Sequence, residues 1–213
     1  MTWVDRYLSE QDKKNISEAV KKAEVGHDGE IVPVIVRRSS SIGHVPMTLT
    51  LLILLVLIFA GIPHSEVLWV TPWIWAWPVI IVAIYYLSHL LARLPWLQRI
   101  LVPERDEVEQ VHNRAHLEFF VNEVDHTEHQ TGVLIFISVM ERKAVILVDK
   151  GLSAKVPQET WDKVLDNLGG HLRRGEWAAG FTQAIEECGR HLKTHFPIAE
   201  HHDQLSNELI IKE

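Results

Sequence analysis

The sequence predicts an α/β domain of at least three strands, covered by helices and interrupted by a transmembrane helical hairpin. Three observations lead there. The run 133-VLIFISV-139 is almost wholly apolar, as a central strand covered on both faces must be. Helical periodicities stand before and after it. Between the two soluble parts lie two uncharged hydrophobic runs, 46–62 and 67–91.

The elements follow in order. Ser9-Glu10-Gln11-Asp12 has the form of a capping box, with Asp in place of the usual Glu or Gln. Ile16, Ala19, Val20 and Ala23 then recur at helical spacing, and Gly26 is a natural stop. Glu30 to Arg37 is β-rich, and Pro33 within it argues for an edge strand or a bulge. At about 1.5 Å rise per residue, the run 46–62 is slightly short for a hydrocarbon core of about 30 Å, and 67–91 is ample. Pro63 to Glu66 connects them tightly.

Arg37 and Arg38 precede the hairpin, Arg93, Arg99 and Arg105 follow it, and the connection holds no Lys or Arg. The positive-inside rule then places both termini and the soluble domain in the cytoplasm, with two spans in a bacterial inner membrane. Trp69, Trp73, Trp75 and Trp77 cluster near the outer end of the second span, where amphipathic rings meet headgroups. Membrane lipid is thus an expected partner. His89 near the inner end reads as a snorkelling neutral side chain.

After the hairpin, Glu104 to Val124 reads as a helix with an acidic start, which suits the helix dipole. Val133–Val139 and Ala144–Val148 form an antiparallel hairpin around Met140-Glu141-Arg142-Lys143. Pro157 marks the first turn of a helix that turns Trp161, Val164, Leu165 and Leu168 inward and is broken by Gly169-Gly170 and Gly175. A last helix, Trp177 to Phe196, carries Phe181, Ile185, Cys188 and Leu192 at helical spacing. The tail from Ile198 is polar, although Leu209-Ile210-Ile211 has the character to dock. The organisation is therefore 1–40 (first part of the domain), 41–100 (inserted hairpin), 101–197 (second part) and 198–213 (polar tail). Neither part holds enough strands alone, so the two join in one core.

Composition sets bounds. The net charge of −7 argues against a nucleic-acid partner, and the lone Cys188 reads as a buried structural thiol. The start, MTWVDR, lacks the basic and apolar regions of a cleavable signal peptide.

Several stretches together resemble the TPM domain family, which includes bacterial membrane proteins and a photosystem-repair protein of plant thylakoids. They are 24-EVGHDGEI-31, Ala115 and Phe119 in 114-RAHLEFF-120, Thr127 with 131-TGVLI-135, Glu141-Arg142, and 149-DKGL-152. Trp161, Gly175, Gly180 with Phe181, His195-Phe196-Pro197 and Asn207-Glu208-Leu209 fit its later part. The resemblance implies a sandwich of a central mixed sheet with helices on both faces. It also implies one of two roles: an accessory or assembly factor for membrane proteins, or an acid phosphatase using a divalent metal held by acidic residues near the sheet's end. Bacterial members stand beside LemA-type membrane proteins, which makes such a protein an expected partner, alongside the chain itself.

The chemistry-bearing residues divide these readings. Where the phosphatase-like pattern has Asp-Asn-Gly and Asp-Asp-Arg, this chain has Gln130-Thr131-Gly132 and Met140-Glu141-Arg142. Glu128, Glu141 and Asp149 remain as oxygen ligands for a hard cation such as Ca²⁺. Asp149 has a second role open to it, since Asp-Lys-Gly is turn chemistry. His112 and His116, four apart on one helix face, are the candidate ligands for Zn²⁺. The leading expectation is a non-catalytic, membrane-anchored binding or assembly module. A metal-dependent phosphomonoesterase and a His-based metal-binding module are the alternatives.

Overall fold

The structure, a computed structural model, describes residues 2–39, 45–60, 76–92, 94, 104–197 and 204–213. The chain divides into two compact units. One joins Met1–Ser39 to Val108–Glu213, and the other is Ser40–Glu107.

The first unit is a four-stranded mixed sheet in the order β3-β2-β1-β4. Its strands are β1 (Ile31–Val36), β2 (Val133–Ser138), β3 (Lys143–Val148) and β4 (Ile210–Lys212). β1 runs parallel to β2 and to β4, while β2 and β3 form the expected antiparallel hairpin. Strand alternation sends Ile31, Ile35, Val133, Ile135, Ile137 and Ile146 to one face, and Val32, Val34, Val36, Leu134, Phe136 and Val145 to the other. Both sets are buried, which is why the strands read as continuous apolar runs rather than alternating ones.

Helices cover both faces. On the first lie α1 (Glu10–Ala23), α6 (Gln158–Arg174) and α7 (Trp177–His195). They bring Ile16 and Val20, then Trp161, Val164 and Leu168, then Phe181, Ile185, Cys188 and Leu192. On the second lies α4 (Glu104–Val121), through Val111, Ala115 and Phe119. Ser9 caps α1 as expected: its N–H donates to Asp12 Oδ2 at 2.8 Å, and the Asp12 N–H donates back to Ser9 Oγ at 3.2 Å.

Three local expectations change. Pro33 lies in a strand flanked on both sides, not in an edge strand. The Glu30 and Val36 carbonyls bond β2, whereas the Arg37 N–H donates to the Lys212 carbonyl on the β4 side. Alternation therefore puts Pro33, like Arg37, toward β4, which pairs only with Val34–Val36, so the missing N–H falls where no partner strand reaches. Gly169-Gly170 does not break its helix. α6 runs through both, because its buried stripe outweighs a cost of about 1 kcal/mol per glycine, and it ends at Gly175 with φ of 79°. The tail, polar but with Leu209-Ile210-Ile211 able to dock, does dock there, and it does so as a strand that the sequence did not predict, β4 (Ile210–Lys212).

The second unit contains α2 (Val45–Phe59) and α3 (Ala76–Leu91), which pack on each other. The expected transmembrane hairpin is corrected here. Among the described residues no helix is long and apolar enough to cross a membrane. The helices have 15 and 16 residues. At about 1.5 Å per residue they span roughly 22–24 Å, against a hydrocarbon core of about 30 Å. Both are nonetheless apolar on their exposed sides, where Leu51, Val56 and Phe59 of α2 and Val82, Tyr86 and Leu90 of α3 stand open. Trp69, Trp73, Trp75, Arg93 and Arg99 lie outside the described residues, as does the 63–66 connection, and Trp77 falls within the span of α3. Arg37 and Arg38 follow β1 directly.

Candidate functional site

Three stretches of the resemblance, 24–31, 127–135 and 149–152, converge at one end of the sheet, while Glu141-Arg142 lies at the other. Strand register places Ile31 beside Val133, and Val133 beside Val148. The loops Gly26–Glu30, Thr127–Gly132 and Asp149–Leu152 therefore meet at the amino ends of β1 and β2. Two glycines there are required by close approach. A Cβ on Gly132 would stand 2.1 Å from the Val124 carbonyl oxygen, and one on Gly151 would stand 2.6 Å from the carbonyl oxygens of His129 and Gln130.

Buried polar groups close this end. Glu24 Oε1 accepts from the Ile31 N–H at 3.0 Å, on the edge that β4 leaves uncovered. Glu30 Oε1 accepts from the Gln204 N–H, and Gln204 Oε1 accepts from the Glu128 N–H, each at 3.0 Å. His27 Nδ1 accepts from the Gly29 N–H at 3.0 Å, which leaves Nε2–H to donate to the Ala23 carbonyl at 2.6 Å. His129 pairs with Asp28, and the Thr131 hydroxyl donates to the Asp28 carbonyl. These contacts tie three distant loops together. Glu24, Asp28 and Glu30 have no role that the sequence predicts. The available signal was a pair of carboxylates flanking the entry to an apolar strand.

Asp149 lies at this end. Its Oδ1 accepts from the Lys150 N–H at 2.6 Å and caps the short helix α5 (Lys150–Ser153), the turn role its sequence allowed. The side chain is 7% exposed, and its Oδ2 is buried with no hydrogen-bond partner. Glu128 is exposed at the same end. Glu141 is at the other, in the β2–β3 turn, where its Oε2 accepts from the Ser138 hydroxyl and, at 3.2 Å, from the Ser39 N–H. A six-residue strand at about 3.3 Å per residue separates Glu141 from Asp149, so the three expected carboxylates do not come together. His112 and His116 are exposed on α4, one turn apart, and among the described residues no third ligand joins them.

A divalent metal is thus a poor fit to the described residues. Hard cations take six or more oxygens, several of them carboxylates, and Zn²⁺ takes three or four protein ligands. Asp149 offers one unpartnered buried oxygen, and no group of three His, Cys, Asp or Glu gathers among the described residues.

Two other titrating groups, Cys188 and Asp5, are structural. Burial pushes the Cys188 thiol up to about 12, so it packs as a small apolar residue. Hydrogen bonds from Lys13 and Thr2 lower the Asp5 carboxyl to about 2, fastening the amino-terminal turn Trp3–Arg6 to α1.

Residues 100–191 match the family model for the TPM domain. No curated protein matches the chain. Among solved structures the chain is similar to the NMR structure of the BA42 protein from the psychrophilic bacterium Bizionia argentinensis, at 20% identity and a TM-score of 0.61 over 99% of each chain. At that identity the likeness establishes the fold, a helix-covered mixed sheet.

Proposed function

We propose that this chain, whose residues 100–191 match the TPM domain model, is a membrane-associated binding or assembly module, held at the cytoplasmic face of a bacterial membrane by its inserted unit. One observation carries the reading. The exposed sides of α2 and α3 are apolar, with Phe59 87% exposed and Tyr86 69%. An apolar surface that continuous marks a membrane or partner contact rather than a face kept in water. The helices are short for a span, so the unit beds into the acyl region without each described helix crossing it.

The TPM domain then faces its partners from the membrane surface. On α4 the adjacent Leu117, Phe120 and Val121 are exposed, at a spacing that forms one apolar patch. Such a patch supports assembly with a second copy or with another membrane protein, a LemA-type protein among them. Gentle detergent extraction, followed by mass measurement and identification of components, tests this. A particle with repeated copies or a second membrane protein is expected, and a lone monomer would count against it.

The phosphomonoesterase alternative rests on Asp149 alone, through its buried unpartnered oxygen. Metal-dependent hydrolysis of a model phosphomonoester, lost in Asp149→Asn, would favour it. The His-based alternative needs Zn²⁺ binding that a His112→Ala/His116→Ala variant lacks.

A further inference from the structure

The end of the sheet opposite the motif loops is open. A cavity of about 390 Å³ lies at the carboxyl end of β2, between the β2–β3 turn, the amino-terminal turn and the junction of α6 with α7. That volume falls in the range of small-molecule sites, about 300–1,000 Å³, and the carboxyl ends of parallel strands are where open α/β sheets place ligands. Ile137 and Leu172 give it an apolar floor. Tyr7 and Trp177 form an aromatic wall, with ring centroids 4.7 Å apart and planes at 57°.

Arg142 and Arg173 also line it. Other arginines of this unit are matched to carboxylates: Arg114 to Glu118 at 2.9 Å, Arg174 to Glu176 at 2.8 Å and Arg37 to Glu213 at 3.6 Å. Neither Arg142 nor Arg173 has a side-chain hydrogen bond or ion pair among the described residues. Arg142 has φ of 55°, the left-handed position of the β2–β3 hairpin turn. Gly169, in the interior of α6, leaves open the space where a Cβ would meet Arg173 Nη1 at 3.5 Å.

We propose that this cavity binds a small molecule bearing a phosphate-type or carboxylate anion on a flat apolar body. The two guanidinium groups match such an anion in charge, and a guanidinium presents a planar fork of donors suited to its oxygens. Tyr7 and Trp177 offer the apolar body an aromatic wall. A soluble ester and a lipid headgroup share this anion chemistry, and the test separates them.

The full chain in detergent micelles is titrated by calorimetry with phenylphosphonate, inorganic phosphate and dihexanoyl phosphatidic acid. Phenylphosphonate cannot be hydrolysed as an ester, so its binding is independent of any phosphatase activity. The expected order puts phenylphosphonate well ahead of inorganic phosphate. Binding should weaken about 10–100-fold in Arg142→Gln/Arg173→Gln. Both side chains are exposed, so that variant folds, and Gly169→Leu provides a second route by filling the cavity from a helix. Tighter binding of dihexanoyl phosphatidic acid, lost in the same variants, supports the site with a lipid headgroup as its source. Binding of none of the three, or binding unchanged in the arginine variant, overturns the proposal.

Discussion

The two units treat apolar side chains in opposite ways. In the first, Phe136 is completely buried in the central strand, and α1, α6 and α7 are amphipathic, each with one apolar stripe turned to the sheet. In the second, Phe59 is almost fully open, and α2 and α3 carry apolar residues on their exposed sides. Equal hydrophobicity therefore does two jobs. Periodic, it closes a core within the chain. Uniform, it leaves an apolar surface exposed, of the kind that marks a contact with a membrane or a partner. The contrast separates the part of the molecule that closes its own core from the part that leaves apolar side chains open.

Changes inside the self-closing unit should act first on stability. Gly132→Ala sets a Cβ against a backbone carbonyl, so the loop must move. The expected loss is about 4 kcal/mol or more, seen as a large fall in the urea midpoint. Phe136→Ala should cost about 3–5 kcal/mol by the same measurement. A value under about 1 kcal/mol for either would mean that this end, or this core, is looser than described.

Glu118 gives a smaller effect. It is 2% exposed and joins Arg114 and Lys212, holding β4 to α4. Glu118→Ala should lose about 1–3 kcal/mol, since both cations can turn to solvent. Faster amide exchange at Ile210–Lys212 would show β4 releasing first.

The inserted unit should respond inversely. Phe59→Ser should change the urea midpoint by less than about 0.5 kcal/mol equivalent. It should weaken vesicle binding about tenfold or more, because a Phe left in water forgoes about 1.5–3 kcal/mol. A loss of stability without a loss of vesicle binding would reverse the assignment of the two units.

The smallest effect is a pH dependence. Burial, with the nearby charges of His195 and Arg190, lowers the His191 pKa below its ordinary 6.5, and the ring lies edge-on to Trp161 at 5.9 Å. A histidine with a depressed folded pKa adds stability above the unfolded value and loses it as pH falls below 6.5. Urea midpoints should therefore drop as pH falls below 6.5, and less so in His191→Gln.

Much of the fold was legible. The capping box at Ser9, the apolar strand at Val133 and the buried stripe Phe181, Ile185, Cys188 and Leu192 are local patterns, and local patterns survive folding. β4 was not legible as a strand, because three residues carry no periodicity and pair through β1, far away in sequence. The continuation of α6 through Gly169-Gly170 depends on burial that no glycine signals. The site was less legible than the fold. That Glu141 and Asp149 stand apart was nonetheless readable, since a whole strand lies between them. Glu24 and Glu30, which close the end where Asp149 lies, flank an apolar strand in sequence, but nothing local shows which distant loops they bind.

The measurement that tests the central claim most directly is flotation of the full chain with phosphatidylcholine vesicles on a density gradient, repeated in about 1 M salt, where ionic attraction is screened within about 3 Å. The account predicts that the protein rises with the vesicles and stays with them in high salt, because apolar side chains hold it there. Protein that remains at the bottom, or leaves the vesicles when salt is added, would contradict it.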